Sequence, residues 1–346
     1  TGNIGTTLFK QLLEHKDFLQ KHNGIQIKVV GIGNTRKMIF DAEGIELENW
    51  QDTLQKEGEP ADLAHFVERM KSMNLPNCVF ADNTASLKPI EFYEEIFRSN
   101  ISIVTCNKIG NSSSFAQYKL FRDTARLHGV DFFYETNVGA GLPIVKTLKD
   151  LMISGDRILS IEAILSGTIS YIFNNYKGDI TFHDIVKQAQ EKGYTEPDPR
   201  DDLRGTDFMR KMLILARDAG YELEAADVEI ESMLPESCLN AETVDDFYKT
   251  LQAENSFFED MKKQAENGKK VLRYIGKLEN GKVKIGLQMV DDAHPFYALS
   301  GSDNIISFIT DRYKERPMVV KGPGAGAEVT AAGVFADIVH VGANKF

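Results

Sequence analysis

Between Gly193 and Lys211 the chain reads GYTEPDPRDDLRGTDFMRK. Glu196, Asp198, Asp201, Asp202 and Asp207 crowd together, and Lys211 stands one helical turn past the last of them. Carboxylates and amines are the groups that hold charged ligands and move protons. The spacing also has a plainer reading. From Asp207 to Ala219, Phe208, Met209, Met212, Leu213, Leu215, Ala216 and Ala219 are apolar, and Asp207, Arg210, Lys211, Arg217 and Asp218 are polar. That pattern is an amphipathic helix with a charged face. Asp207 and Lys211 are four apart, where an exposed pair contributes about 0.2–0.5 kcal/mol. Asp198 followed by Pro199 suits an N-cap and a first helical residue. On spacing alone the acids belong to a solvated helix start.

A second chemical stretch opens the chain. TGNIG, residues 1–5, carries Gly2 and Gly5 at the separation of the last two glycines of a dinucleotide fingerprint. The earlier of these lets backbone approach a pyrophosphate, and the later lets a helix pack on its strand. About 30 residues on, where an acid would hold the ribose hydroxyls of NAD, stand Asn34, Thr35, Arg36 and Lys37. The cationic pair has two readings. It suits the extra phosphate of NADP, or it is an ordinary charged loop.

Composition narrows the classes. The 346 residues are enough for two domains. A net charge of −11 argues against nucleic acid or an anionic membrane as partner. No apolar run is long enough to span a bilayer. Cys78, Cys106 and Cys238 are widely spaced and read as reduced thiols of a cytoplasmic protein. The seven histidines form no HxH or HxxxH pair, which argues against zinc.

The elements that must carry these residues alternate through the first 135 positions. Helical patterns follow TGNIG and recur in ADLAHFVERMKSMN, IEFYEEIFRSN and FAQYKLFRDTARLHG. Between them IQIKVVGI, NCVFADNT, ISIVTCN and VDFFYET read as strands. The alternation predicts an α/β, Rossmann-type doubly wound parallel sheet. Its first strand, which would sit at the sheet's centre, is missing ahead of Thr1, so several apolar residues ending in glycine are expected before it in a parent protein. After NVGAGLP the pattern changes. RILSIEAIL, VLRYIGKL, KVKIGLQMV, IISFIT and MVVKG read as strands, with helices from Tyr171 to about Tyr221 and across 254–270. The predicted domains are 1–142 for the dinucleotide, 143–322 as an α+β substrate and dimerisation domain, and 323–346 as a helix returning to the first. Small residues Ala331, Ala332, Gly333 and Ala336 suit that close return.

Against this background AQEKGYTEPDPRDDLRGTDFMRK, Ala189 to Lys211, resembles the homoserine dehydrogenase signature along its whole length. The likeness continues through GNIGTTL, ADNTAS, VTCNK, YETNVGAGLPI, ILSGTISYIF, LILARDAGYELE, VLRYIG and GPGAGAEVTAAGVFAD. GIELENWQ, Gly44 to Gln51, particularly resembles the dehydrogenase half of bifunctional aspartokinase–homoserine dehydrogenases.

The resemblance implies NAD(P)-dependent interconversion of L-homoserine and L-aspartate 4-semialdehyde, a step of threonine and methionine biosynthesis. It places Glu196 and Asp207 on the amino acid, with Asp202 in the same acidic constellation, and Lys211 and Lys108 at the reacting oxygen. Either lysine could transfer the proton; Lys211 is favoured, with Lys108 as electrostatic partner. Ser166, Gly167 and Thr168 would offer free N–H groups to a carboxylate or to the cofactor. Gly2, Asn3, Ile4, Gly5, Asn34, Arg36, Lys37, Thr84, Lys108, Gly324 and Gly326 would contact the dinucleotide. A monovalent cation, typically sodium, would sit on main-chain oxygens of Glu135, Val138, Ala140 and Leu142. The resemblance also implies a homodimer or higher homo-oligomer, and an aspartokinase fused in the parent. Cys106 and Ile109 depart from the family's common TPNKK run.

Two other readings compete. Aspartate semialdehyde dehydrogenase would need a cysteine nucleophile paired with a histidine, and Cys106 is the candidate. A non-catalytic nucleotide-binding module would not need the acids and lysines to be intact.

Overall fold

The computed structural model describes residues 1–343. The chain forms two compact units, Thr1–Gly141 together with the segment from Ala325, and Leu142–Gly324.

The first unit opens with the helix Asn3–Asn23, which buries Leu8, Phe9, Leu12 and Leu19 along one face. It stops at Gly24, whose φ of 66° is left-handed, as helix-terminating glycines commonly are. Three parallel strands follow in the order Val79–Asp82, Ser102–Thr105, Phe132–Phe133. The middle strand is buried at every residue, as a parallel strand covered on both faces must be. Tyr93, Phe97, Phe121 and Phe132 pack edge-on and tilted beside it. This is the expected Rossmann-like arrangement.

One expected strand differs. IQIKVVGI does not join the parallel sheet; Gly31–Gly33 alone is strand, antiparallel to Lys37–Phe40, with Ile32 opposite Ile39. The cause is local. The Asn34 side chain accepts the N–H groups of Arg36 and Lys37, both at 2.8 Å, and folds the chain straight back. The carbonyls of Val29 and Val30 accept from Ile45 and Asp41 in the returning segment rather than from a parallel neighbour.

The helix Ala327–Ala343 packs on Asn3–Asn23 and on the Glu135–Asn137 turn. A side chain at Gly333 would come within 2.4 Å of Thr136 and 3.1 Å of Gly141, so the crossing requires its glycine.

The second unit is built on a six-stranded sheet. Its order is Met318–Pro323, Asp303–Thr310, Ile158–Ile164, Val271–Glu279, Lys282–Val290, Val228–Ile230. Every neighbouring pair is antiparallel except the last. Asn280 and Gly281 close the central hairpin with φ of 51° and 75°, the two left-handed residues of a type I′ turn. The helix Thr206–Asp218 lies on this sheet with Met212 against Gly276, where an added Cβ would come within 2.7 Å. No helix among the described residues is long and apolar enough to cross a membrane.

Candidate active site

In the second unit the acidic stretch folds as two short elements. Asp198 caps the helix Pro199–Leu203 by accepting from Arg200 N–H, with Pro199 at its first position. Asp198 also grips the Arg200 guanidinium through both carboxylate oxygens at 2.6–3.1 Å. Asp198 is therefore tied up in structure. Gly205, with φ of 72°, then turns the chain into the helix Thr206–Asp218.

On that helix the solvated reading fails for the lysine. Lys211 is 8 % exposed. Its ammonium donates to the Leu165 carbonyl at 2.7 Å and pairs with Asp207 Oδ2 at 2.8 Å. Asp207 itself stays open to solvent. Leu165 is the residue after the strand Ile158–Ile164, so Lys211 is anchored at the turn that carries Ser166, Gly167 and Thr168. Ser166 caps the helix Gly167–Asn175 by accepting from Ile169 N–H.

Thr168 ties this turn to the acids. Its Oγ1 lies 2.6 Å from the Tyr194 carbonyl and 3.0 Å from Asp202 Oδ1. Asp202 Oδ2 accepts from the Glu196 N–H at 2.8 Å. Burial raises the Asp202 carboxyl above the ordinary range, with Asp201 and Asp207 adding to the effect. Glu196 projects its own carboxylate from an exposed position. The predicted substrate residues of this unit thus fall into one connected cluster.

In the first unit the fingerprint residues line a cleft of about 370 Å³ with Asn34, Arg36 and Lys37. Gly2 and Asn3 line it together with Trp50 and Gln55. An added Cβ on Gly2 would meet nothing within 4 Å, which leaves room for a ligand. Lys37 donates to the Gln55 carbonyl. Arg36 is exposed, and no carboxylate among the described residues pairs with it. Ile4 is half-buried and Gly5 buried.

Thr84 and Lys108 sit on a polar network that spacing alone did not reveal. Asp82, 2 % exposed, accepts from Tyr93 Oη at 2.7 Å, Asn107 Nδ2 at 3.0 Å and Thr84 N–H at 2.9 Å. Asn107 also donates to Ser86 O and accepts from Ile109 N–H, which fixes the backbone on both sides of Lys108. From Thr105 the network runs on: Asn137 Nδ2 donates to Thr105 O, Asn111 Nδ2 to Asn137 Oδ1, and Arg122 to Asn111 Oδ1. The available signal was an Asx residue at or shortly past the end of each strand, in ADNT, TCNK and ETN. Burial and the nearby Asp82 push the Cys106 thiol up to about 11.

The remaining residues are more scattered. Glu135 starts a 3-10 turn whose first N–H donates to Asp337. Val138 is buried, and Gly139 and Ala140 both take left-handed φ, 74° and 53°. Leu142 begins the second unit and packs near Gly322. Gly324 is pressed on Asn304, where a Cβ would come within 2.0 Å, and Gly326 has φ of 129°. Gly324 is thus accounted for by packing within the second unit.

Comparison with known proteins agrees with this geometry. Residues 1–135 match the family model described as Homoserine dehydrogenase, NAD binding domain, and residues 143–339 the model described as Homoserine dehydrogenase. The chain is 39% identical to the homoserine dehydrogenase of Schizosaccharomyces pombe, across 99% of this chain and 93% of that protein. It is 45% identical to the chloroplastic bifunctional aspartokinase/homoserine dehydrogenase 2 of Zea mays, across 98% of this chain and 37% of that protein. The chain therefore spans little more than a third of such bifunctional relatives. A solved Candida auris protein of unknown function superposes with a TM-score of 0.89 at 34% identity, covering 98% of this chain and 95% of that one. A hyperthermophilic archaeal homoserine dehydrogenase in complex with NADPH, 22% identical, shares the fold with a TM-score of 0.74 over 100% of this chain and 96% of its own. Matched over both units and nearly end to end by a single-function relative, the chain belongs to the homoserine dehydrogenase family.

Proposed function

We propose that this chain interconverts L-homoserine and L-aspartate 4-semialdehyde with NADP(H), or NAD(H), as hydride carrier. The observation that carries the reading is the buried Lys211, held between Asp207 and the Leu165 carbonyl beside the Thr168–Asp202–Glu196 chain. Glu196 and Asp207 supply opposite charge for the substrate ammonium. The N–H groups opening the Gly167–Asn175 helix suit its carboxylate.

The bound nicotinamide supplies the hydride acceptor for oxidation and the donor for reduction. As the carbinol carbon gives up hydride, its hydroxyl proton must go to a base, and in reverse the forming alkoxide needs a donor. Lys211 takes that proton role, and Lys108 the charge-stabilising one. Gly2, Asn3, Arg36 and Lys37 receive the dinucleotide's phosphates, the last two reading the additional phosphate of NADP. The paired left-handed residues Gly139 and Ala140 support a sodium-type cation on the carbonyls of Glu135, Val138 and Ala140, completed by Leu142. Assembly as at least a homodimer, a cytoplasmic setting for the three free thiols and a fused aspartokinase complete the proposal; the names of the bifunctional relatives support the last.

An assay of the purified chain with L-homoserine and NADP⁺, followed by absorbance of the reduced nicotinamide, tests this directly. No turnover by a folded protein that binds the dinucleotide would overturn it. The semialdehyde dehydrogenase reading is disfavoured, because burial holds the Cys106 thiol protonated and no histidine among the described residues bonds to it. Phosphate-dependent turnover abolished by thiol reagents would restore that reading.

A further inference from the structure

Thr168 Oγ1 touches two oxygens but owns one hydrogen. The Tyr194 carbonyl, 2.6 Å away, can only accept. At that distance the hydroxyl proton belongs to it. Oγ1 then turns lone pairs toward Asp202 Oδ1, 3.0 Å away. A carboxylate there would set acceptor against acceptor across a half-buried contact, with Thr168 itself only 8 % exposed. A carboxylic acid fits both neighbours: its O–H donates to Thr168, and its other oxygen accepts from Glu196 N–H.

We infer that Asp202 works as a hydrogen-bond donor, a protonated positioning residue that fastens the Glu196 segment to Thr168 rather than a charged ligand of the substrate. The inference rests on the proposed role of Glu196. It divides the labour among the acids. Glu196 and Asp207 keep their charge for an ammonium, and neutral Asp202 holds Glu196 in place without adding a third charge beside them.

The surrounding groups favour this state. Burial raises the Asp202 carboxyl and the like charges of Asp201 and Asp207 add to it, outweighing the Glu196 N–H and Thr168 contacts that favour the charged form. Glu196 is attached through its main chain. Lys211 is engaged with Asp207. The packed helix Gly167–Asn175 contributes no charged side chain. Because the folded carboxyl is raised above its unfolded value, the tie is complete below the ordinary Asp range and is lost as pH rises through the raised value.

Asparagine reproduces the neutral acid at every pH, with its amide donating to Thr168 and its oxygen accepting from Glu196. Asp202→Asn should keep KM for L-homoserine within about threefold of the parent and remove any rise of KM toward alkaline pH. Asp202→Ala should raise that KM about tenfold or more, because Glu196 N–H and Thr168 both lose their partner. Infrared difference spectra recorded just above the ordinary Asp range, parent minus Asp202→Asn, should show the carbonyl band of a protonated carboxylic acid. A carboxylate band in its place, or an asparagine variant as impaired as the alanine one while equally well folded, overturns the inference. The infrared result is independent of turnover. An inactive parent would therefore defeat the proposed reaction and leave the protonation of Asp202 still decided by the spectrum.

Discussion

Asp82 and Asp202 are the same side chain in opposite settings. Asp82, in the first unit, faces three donors: a phenol, an amide and a main-chain N–H. Asp202, in the second, faces one N–H and a hydroxyl whose proton is already given away. Counting donors assigns one acid as an acceptor and the other as a donor. The neighbourhoods follow suit. Around Asp82 the partners are neutral Tyr93, Asn107 and Thr84, a satisfied network that fixes backbone on both sides of Lys108. Around Asp202 stand the charges of Asp201 and Asp207 and the Glu196 main chain, with Glu196 and Asp207 open to solvent. The donors around Asp82 hold backbone in place, whereas Glu196 and Asp207 keep their carboxylates open to solvent.

The sharpest way to break this contrast is to remove the charge proposed to move the proton. Lys211→Ala is expected to lower kcat by at least about 10²-fold, the lower end for a general acid–base group. Asp207→Ala should fall in the same range. Steady-state rates within a few-fold of the parent, from protein with an intact thermal transition, would remove both residues from the mechanism.

Next comes the asparagine swap at the other acid. Asp82→Asn turns an amide N–H₂ toward the donors Tyr93 Oη and Asn107 Nδ2, or toward Thr84 N–H. One buried donor then loses its acceptor, which costs about 1–3 kcal/mol. The expected signature is a lower Tm together with a weaker hold on the Thr84 and Lys108 backbone. Asp202→Asn should leave Tm near that of the parent. Equal losses at the two positions would erase the distinction between the acids.

What sequence could see of these two regions follows from range. The hairpin Val271–Val290 was legible because strand alternation and the Asn280-Gly281 turn are local signals. So were the Asp198-Pro199 cap and the Thr206–Asp218 helix. The IQIKVVGI segment misled because its apolar residues suit a strand, whereas pairing is settled by which segment lies alongside. The strand Val228–Ile230 is too short to show a period and exists through pairing with Lys282–Val290. The Asp82–Asn107 contact joins residues 25 apart in the chain, so no window of sequence contains its logic. The acids of the second unit stood out as a composition, but their separate roles depend on Thr168 and Tyr194, which spacing did not link to them.

A smaller effect is expected at the dinucleotide cleft. Arg36 is exposed at its rim, and no carboxylate among the described residues is paired with it. Arg36→Ser should raise KM for NADP⁺ about tenfold, the scale of one charge-assisted phosphate contact, and leave KM for NAD⁺ nearly unchanged. Equal shifts for the two cofactors would show that the arginine does not read the extra phosphate.

The smallest expected change separates a structural acid from the ligand-binding ones within the same stretch. Asp198 caps the Pro199–Leu203 helix and clamps Arg200, which is 8 % exposed and also donates to Ala241 O. The Arg200 hydrogen bonds hold the Asp198 carboxyl below its ordinary value. A depressed folded value contributes stability that is present above the unfolded value, near 3.9 for aspartate, and fades as pH falls through the folded one. Asp198→Asn keeps a cap acceptor but loses the two-oxygen grip on Arg200. It should therefore lower stability at neutral pH by about 1 kcal/mol, and parent and variant should converge below the aspartate range. KM for L-homoserine should not move, because Asp198 is spent on Arg200 rather than on a ligand. Denaturant titrations across pH measure the first effect and steady-state kinetics the second. A rise in KM at unchanged stability would place Asp198 among the substrate acids and redraw the boundary between the two groups.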